Sequence, residues 1–275
     1  MAISAADVMK LRKATGAGMM DCKTALTDAE GDFDRAVEII REKGKLVASK
    51  RSDRDATEGV VLAKVSDDHT FGAIVVLNCE TDFVAKNEGF VALTQKFLDL
   101  AVEKRPADLD ALKALTIDDR SVADHVTEQT GVIGEKLDLS FYGKIEAADV
   151  VPYIHPGNKL ATIVGFNKSL ADEHTGKDVA MQVAAMNPVA VDKDNVPQQI
   201  VEKELEIAKE KFRLEGKPEA MLDKIAQGAL AKFFKESTLL NQAFVKDSKI
   251  TIKEYLTSID KGLTTTGFIR YSLAE

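Results

Sequence analysis

The side chains that could do chemistry are few and widely spaced. The four histidines stand at positions 69, 125, 155 and 174, and the only cysteines are Cys22 and Cys79. Metal sites place such ligands a few residues apart, so neither set predicts a metal centre. A reactive Cys22 next to Lys23 is conceivable, but packing in the core is the simpler interpretation. We expect turn or surface positions for the histidines, no enzymatic activity and no cofactor.

Nucleotide-binding loops are also missing from the sequence. Gly16-Ala17-Gly18 lacks the preceding strand and the third glycine of a dinucleotide loop, and there is no Walker-type Gly-Lys-Ser/Thr. Gly16 and Gly18 are better interpreted as a break between helices, since glycine adopts positive φ at little cost. Met19 and Met20 follow this break, and either a soft contact surface or core packing would suit them.

Phe83 occupies an unusual position for a large aromatic residue. It lies in a connection of ten residues, from Asn78 to Asn87, between an apolar run over 72–77 and a stretch with helical periodicity. Connections of this kind lie on the surface and often carry function. Phe83 therefore either packs back on its own core or is offered to a partner, and the pattern alone leaves both open.

Capping and periodicity predict helices at the start of the chain. Ser4 with Asp7 forms an N-cap box pattern, so a helix should begin near residue 4. A second helix is predicted over 20–29, and a third from Phe33 to a stop near Gly44. The basic stretch 43–55 is interpreted as a solvated linker, with a tether to RNA or to an acidic partner as the alternative.

From residue 59 onwards the periodicity predicts strands and helices in alternation. A hairpin, a loop and a helix are followed by a further helical stretch, then by a second hairpin, loop and helix, and then by an antiparallel helical hairpin. A strand, a helix and a strand close the chain. The predicted segments are strands 60–65 and 72–77, helix 90–102, helical stretch 107–132, strands 144–151 and 160–166, helix 177–186, hairpin helices 198–214 and 219–235, strand 250–252, helix 253–259 and strand 268–271.

These elements predict an α+β fold in four parts. An N-terminal three-helix module precedes a core of two related antiparallel-sheet-plus-helix subdomains, and an antiparallel helical hairpin is inserted in the second subdomain. The expected bounds are 1–56 for the module and its linker, 57–142 for the first core subdomain, 143–196 with 241–275 for the second, and 197–240 for the hairpin.

Composition limits the kinds of partner and the cellular compartment that are expected for the protein. The formal net charge of −8 disfavours nucleic acid as the main partner, because phosphate binding relies on clustered cations. The longest apolar runs are far shorter than the roughly 20 residues that cross a membrane. Two cysteines and a start without a secretory pattern suit a reducing compartment, so a cytoplasmic location is expected.

Two long strings resemble the elongation factor Ts family. They are Thr81-Asp82-Phe83-Val84-Ala85-Lys86-Asn87 and Thr15-Gly16-Ala17-Gly18-Met19-Met20-Asp21-Cys22-Lys23. Segments starting at Tyr153 and at Thr266 are also similar to the family, so the resemblance covers nearly the whole chain. It implies a guanine nucleotide exchange factor whose partner is the GTPase elongation factor Tu, in its GDP-bound and nucleotide-free states. The missing nucleotide-binding loops predict that the chain itself binds no nucleotide.

The resemblance also implies roles for residues. The N-terminal module, similar to ubiquitin-associated domains, would dock on the GTPase, while Asp82 and Phe83 would enter near its nucleotide and magnesium site. Lys86 and Asn87 would fix the loop and cap the next helix. The partner-binding residues implied are Thr81, Asp82, Phe83, Val84, Ala85, Lys86, Asn87, Gly16, Gly18, Met19 and Met20.

This chain departs from the family pattern at two places. Gln182 stands where many members have a histidine, and Ser140-Phe141 replaces a frequent pair of arginines.

A hypothesis from a different class is an RNA-associated ribosome or translation factor, which would use the basic stretch 43–54 and the helical hairpin.

Overall fold

The computed structural model describes residues 3–274 and combines helices with small antiparallel sheets, which confirms the predicted α+β class. Met1, Ala2 and Glu275 belong to the predicted domain bounds but lie outside the described residues. The chain forms two compact units. One unit runs up to residue 62 and includes 75–143, and the other comprises 63–74 and 144–272.

The helices of the described residues are α1 (Ala5–Thr15), α2 (Met19–Asp28), α3 (Phe33–Lys50), α4 (Asp82–Ala85), α5 (Glu88–Lys104), α6 (Leu109–Ala114), α7 (Val122–Ile133), α8 (Glu173–Met186), α9 (Gln198–Leu214), α10 (Glu219–Ser237) and α11 (Ile252–Ile259). The strands are β1 (Glu58–Val65), β2 (Phe71–Cys79), β3 (Thr116–Ile117), β4 (Arg120–Ser121), β5 (Asp138–Glu146), β6 (Asp149–Ile154), β7 (Leu160–Phe166), β8 (Ala243–Phe244), β9 (Asp247–Thr251) and β10 (Thr265–Ser272). Two three-stranded sheets have the orders β1-β2-β5 and β10-β7-β6.

The first two helices follow the capping pattern of the sequence. Ser4 accepts a hydrogen bond from the Asp7 amide and the Asp7 carboxylate accepts one in return, so the predicted capping box is confirmed. Gly16 ends α1 with a left-handed φ of 73° and donates its amide proton to the Arg12 carbonyl. Leu11, Cys22 and other buried apolar residues of α1, α2 and α3 form a small shared core.

The third helix corrects the prediction of a stop near Gly44 followed by a linker. α3 continues through Gly44 to Lys50, because Gly44 faces Gly131 of α7. A Cβ added to Gly131 would lie 2.2 Å from the Cα of Gly44, so the two backbones touch at this crossing. Packing of α7 on α3 therefore outweighs the ~1 kcal/mol that glycine costs inside a helix.

The helical stretch predicted over 107–132 is interrupted. Asp118 and Asp119, with φ of 50° and 64°, form the two-residue turn between β3 and β4, which separates α6 from α7. Consecutive left-handed residues are what a tight hairpin turn requires, and aspartate tolerates that conformation. The helical prediction was therefore wrong at this point, although the Asp-Asp pair was a usable signal.

The strand predicted over 144–151 is in fact parts of two strands. β5 ends at Glu146 and β6 begins at Asp149, and the two strands belong to different sheets. Between them the Ala147 amide donates to the Thr70 carbonyl, whereas the Ala148 amide donates to the Phe166 carbonyl. No glycine, proline or polar turn residue separates β5 from β6 in the sequence, so the alternation of apolar residues predicted one continuous strand.

The second unit has its own core and carries the helical hairpin. Phe166 of β7 and Val183 of α8 belong to a buried cluster that α11 completes with Leu256. α9 has the predicted bounds, and α10 extends two residues beyond the prediction. No helix among residues 3–274 is long and apolar enough to cross a membrane.

Candidate protein-binding site

The connection that contains Phe83 begins at the end of the buried strand β2. All nine residues of β2 are buried, and Cys79 at its end donates a weak hydrogen bond to the Thr81 carbonyl at 3.2 Å. Burial, with the nearby Glu135 charge, raises the pKa of Cys79 to about 12, so the thiol is protonated at neutral pH. Cys22 is fully buried, which confirms the packing interpretation over the reactive one.

A helix of four residues, α4, presents Phe83. Thr81 caps it, since the Val84 amide donates to the Thr81 hydroxyl oxygen at 3.4 Å. Phe83 is 83% exposed, whereas Ala85 on the same short helix is buried. The structure therefore places the Phe83 ring on the surface, and Ala85 packs inward. Val84 is half-buried between them.

Asp82 and Lys86 form an ion pair across α4, with 2.6 Å between Oδ2 and Nζ. Both side chains are accessible to solvent, so the pair contributes little to stability. Asn87 caps the next helix, α5, because its side-chain oxygen accepts from the Gly89 amide at 2.8 Å. The roles expected of Lys86 within the loop and of Asn87 as a cap agree with this geometry.

Two glutamates outside α4 brace the connection. The Glu135 carboxylate accepts both the amide and the hydroxyl protons of Thr81, at 3.0 and 2.7 Å. Glu80 accepts from the Lys136 amide at 2.6 Å and from the Arg51 guanidinium at 2.8 Å. The Lys136 amide chiefly, and Arg51 as well, hold the pKa of Glu80 below its usual value.

The sequence reasoning missed these bracing residues. Glu135 is 54 positions from Thr81 along the chain, and Arg51 is 29 positions from Glu80. Lys136 also donates from Nζ to the carbonyls of Ser52 and Arg54, both at 2.8 Å. A single sequence offers no signal for such long-range pairs, because neither periodicity nor capping extends that far.

The second group of candidate residues lies at the start of α2. Gly16 and Gly18 are exposed and flank the break between α1 and α2, as expected. Met19 and Met20 are exposed as well, Met20 by 72%, so the contact-surface interpretation fits them better than core packing. This group and the Phe83 connection occupy separate elements of the same compact unit.

The two departures from the family pattern have internal partners. Gln182 is fully buried in α8, where its Oε1 accepts from the Val245 amide at 2.9 Å. The Ser140 hydroxyl bonds to the side chain of Asn78 at the edge of the loop. Both residues therefore support their own unit through side-chain hydrogen bonds.

Three of the four histidines hold the expected turn or surface positions, whereas His125 is half-buried on α7. His69 lies in the turn between β1 and β2 with φ of 56°, and His174 is exposed in the first turn of α8. His125 contacts the Ile117 carbonyl at 2.9 Å, and His155 contacts the Tyr153 hydroxyl at 2.9 Å. Within residues 3–274, no three His, Cys, Asp or Glu side chains are grouped as metal ligands would be.

Comparisons with known proteins agree with this picture. The family described as "Elongation factor TS" matches residues 80–275. A protein of Porphyromonas gingivalis named "Elongation factor Ts" is 54% identical over 274 residues, with 99% of each chain covered. Proteins of the same name from Azobacteroides pseudotrichonymphae and Christiangramia forsetii are each 52% identical, over 99% and 98% of both chains.

Similarity at this level along the whole length defines the class of protein, a translation elongation factor. The chain belongs to the elongation factor Ts family. Family membership implies, in general terms, nucleotide exchange during the elongation stage of protein biosynthesis. The resemblance seen in the two sequence strings is thereby confirmed.

Proposed function

We propose that this protein is the guanine nucleotide exchange factor of elongation factor Tu, with Asp82 and Phe83 inserted into the GTPase. The observation that carries the proposal is an aromatic side chain that is 83% exposed on a turn braced by Glu135 and Glu80. Large aromatic residues on rigid supports are the usual anchors of interfaces. The remainder of Thr81–Asn87 would then orient this anchor.

Exchange requires a difference in affinity. A factor that binds the nucleotide-free GTPase more tightly than the GDP-bound form must weaken GDP by the same factor. Burial of the Phe83 side chain supplies roughly 1.5–3 kcal/mol toward the nucleotide-free complex. Because the turn is already ordered, little of that free energy is lost in fixing the loop.

Magnesium is the expected point of attack. Mg²⁺ demands nearly ideal octahedral geometry, so a small shift of the GTPase residues around it weakens its binding strongly. Phe83, entering between helices of the GTPase, would cause such a shift. Asp82 would add a negative charge near the phosphates, once its ion pair with Lys86 is exchanged for contacts in the complex.

The N-terminal three-helix module would provide a second contact. Met19 and Met20 offer flexible apolar side chains on its surface, next to Gly16 and Gly18. Two linked contacts bind more tightly than either alone when both can be made together. We also propose the division of the chain into the four parts that the sequence predicts, in which the helical hairpin is a separate insertion.

The test is release of a fluorescent GDP analogue from elongation factor Tu, measured by stopped flow. Wild-type protein is expected to accelerate release, and Phe83→Ala is expected to lose most of that acceleration. Leu214→Ala is the matched control, because Leu214 is also a large apolar residue with 80% exposure. Equal release rates with and without the wild-type protein would refute the proposal.

The RNA-associated alternative has less support. Two cations of the basic stretch are engaged within the protein, Lys43 with Asp21 and Arg51 with Glu80. Fewer free cations mean weaker attraction to phosphates.

A further inference from the structure

Glu135 makes two hydrogen bonds with Thr81, the capping residue of α4, although the two are 54 positions apart in the chain. Both of its carboxylate oxygens are used, Oε2 by the Thr81 amide and Oε1 by the Thr81 hydroxyl. Hydrogen bonds to a charged acceptor are about twice as strong as neutral ones. Glu135 directly follows Gly134, the C-cap of α7, so its backbone is anchored to a helix.

The Glu135 contact also orients the cap itself. A threonine hydroxyl has one proton, and that proton points to Glu135. The lone pairs of the oxygen are then left for the Val84 amide, which donates to it at 3.4 Å. Glu135 therefore fixes the direction of the hydroxyl group that starts the turn carrying Phe83.

We infer that Glu135 is a positioning residue, whose carboxylate holds the Thr81 cap so that Phe83 is presented in one orientation. The neighbouring Lys136 donates a hydrogen bond from its backbone amide to Glu80, which directly precedes Thr81. The kinetic part of this inference rests on the proposed exchange function. The structural part, an ordered turn in the free protein, does not.

The structural part is tested by amide hydrogen exchange on the free, full-length protein. Glu135→Ala is expected to raise exchange in the segment 81–86 by about tenfold or more, since both bonds to Thr81 are lost. Glu135→Gln keeps one acceptor oxygen and should fall between that variant and the wild type. Glu103→Gln is the control, because Glu103 is an exposed glutamate at the end of α5. Unchanged protection of 81–86 in Glu135→Ala would overturn the inference.

The kinetic part is tested by a double-mutant cycle with Phe83→Ala. Glu135→Ala is expected to lower the saturating rate of GDP release from elongation factor Tu by about tenfold in the wild-type background. In the Phe83→Ala background it should change that rate by less than about twofold, because the residue it positions is already absent. A role in general stability would lower the factor-dependent part of the rate, after the spontaneous rate is subtracted, equally in both backgrounds and would overturn the inference.

The two failures can be told apart. If wild-type protein does not accelerate GDP release, the proposed function fails, while the amide exchange still decides whether Glu135 orders the turn. If Glu135→Ala does not fold, Glu135→Gln carries both measurements.

Discussion

Phe83 is exposed because its position on the helical turn of α4 directs its side chain away from the core. Residues two positions apart on a helix point in directions about 200° apart. Ala85 occupies the inward position of α4, and Phe83 is thereby directed to solvent. The small alanine takes the inward position and the phenylalanine the outward one, so the side-chain order Phe-Val-Ala decides which residue is offered to a partner.

Removing the Phe83 ring should leave stability unchanged. We expect Phe83→Ala to shift the free energy of unfolding by no more than about 0.5 kcal/mol, as is usual for exposed positions. Phe90→Ala, a few residues further on, should cost about 3–5 kcal/mol because Phe90 is buried. Urea denaturation followed by circular dichroism measures both. A large loss in Phe83→Ala would mean that the ring packs on its own protein.

The crossing of α3 and α7 depends on two glycines. Gly131→Ala would bring a methyl group to 2.2 Å from the Gly44 Cα, so the helices must separate. We expect a loss of about 1–3 kcal/mol, the usual range for overpacking. Thermal unfolding monitored at 222 nm is the measurement.

Gly228→Ala is the matched control for this substitution. Gly228 also lies inside a helix, α10, but nothing lies within 4 Å of an added Cβ. Alanine should therefore raise stability by about 0.5–1 kcal/mol through helix propensity alone. Equal behaviour of the two variants would show that the glycine contact does not hold α3 and α7 together.

Elements with local signals were predictable from the sequence, and elements with distant causes were not. Ser4 with Asp7 and the periodicity of α9 gave correct helix bounds because capping and amphipathicity act within a few residues. Gly44 was misread as a helix stop because its partner, Gly131, is far away in the chain. The same holds for the candidate site. The segment that contains Phe83 could be predicted from the sequence, whereas Glu135, which supports it from a distant position in the chain, could not.

Glu80 joins three separate stretches of one compact unit, through Arg51 and through the Lys136 amide. Because folding lowers the pKa of Glu80, its stabilising contribution is fully present above the unfolded value, about 4.5, and is lost as the pH falls through the folded value. We expect wild type to exceed Glu80→Gln in stability at pH 7 and the difference to shrink below pH ~4. Urea titrations at both pH values decide this, and a difference that persists in acid would contradict it.

The overall charge makes a prediction about nucleic acid. With a formal net charge of −8, the protein should bind bare RNA weakly and without specificity. Gel-shift titrations at about 50 and 200 mM salt measure this, since phosphate contacts lose affinity steeply over that range. Tight association that collapses at the higher salt concentration would favour the RNA-associated alternative instead.

The helical hairpin of α9 and α10 leaves and rejoins its unit at neighbouring points. The Leu239 amide bonds to the Ala190 carbonyl at 2.9 Å, and the Val189 amide to the Ser237 carbonyl at 2.8 Å. The two ends of the hairpin segment are therefore next to each other where they join the unit. Because these attachment points lie side by side, we expect a change in the length of the hairpin to leave the rest of its unit folded.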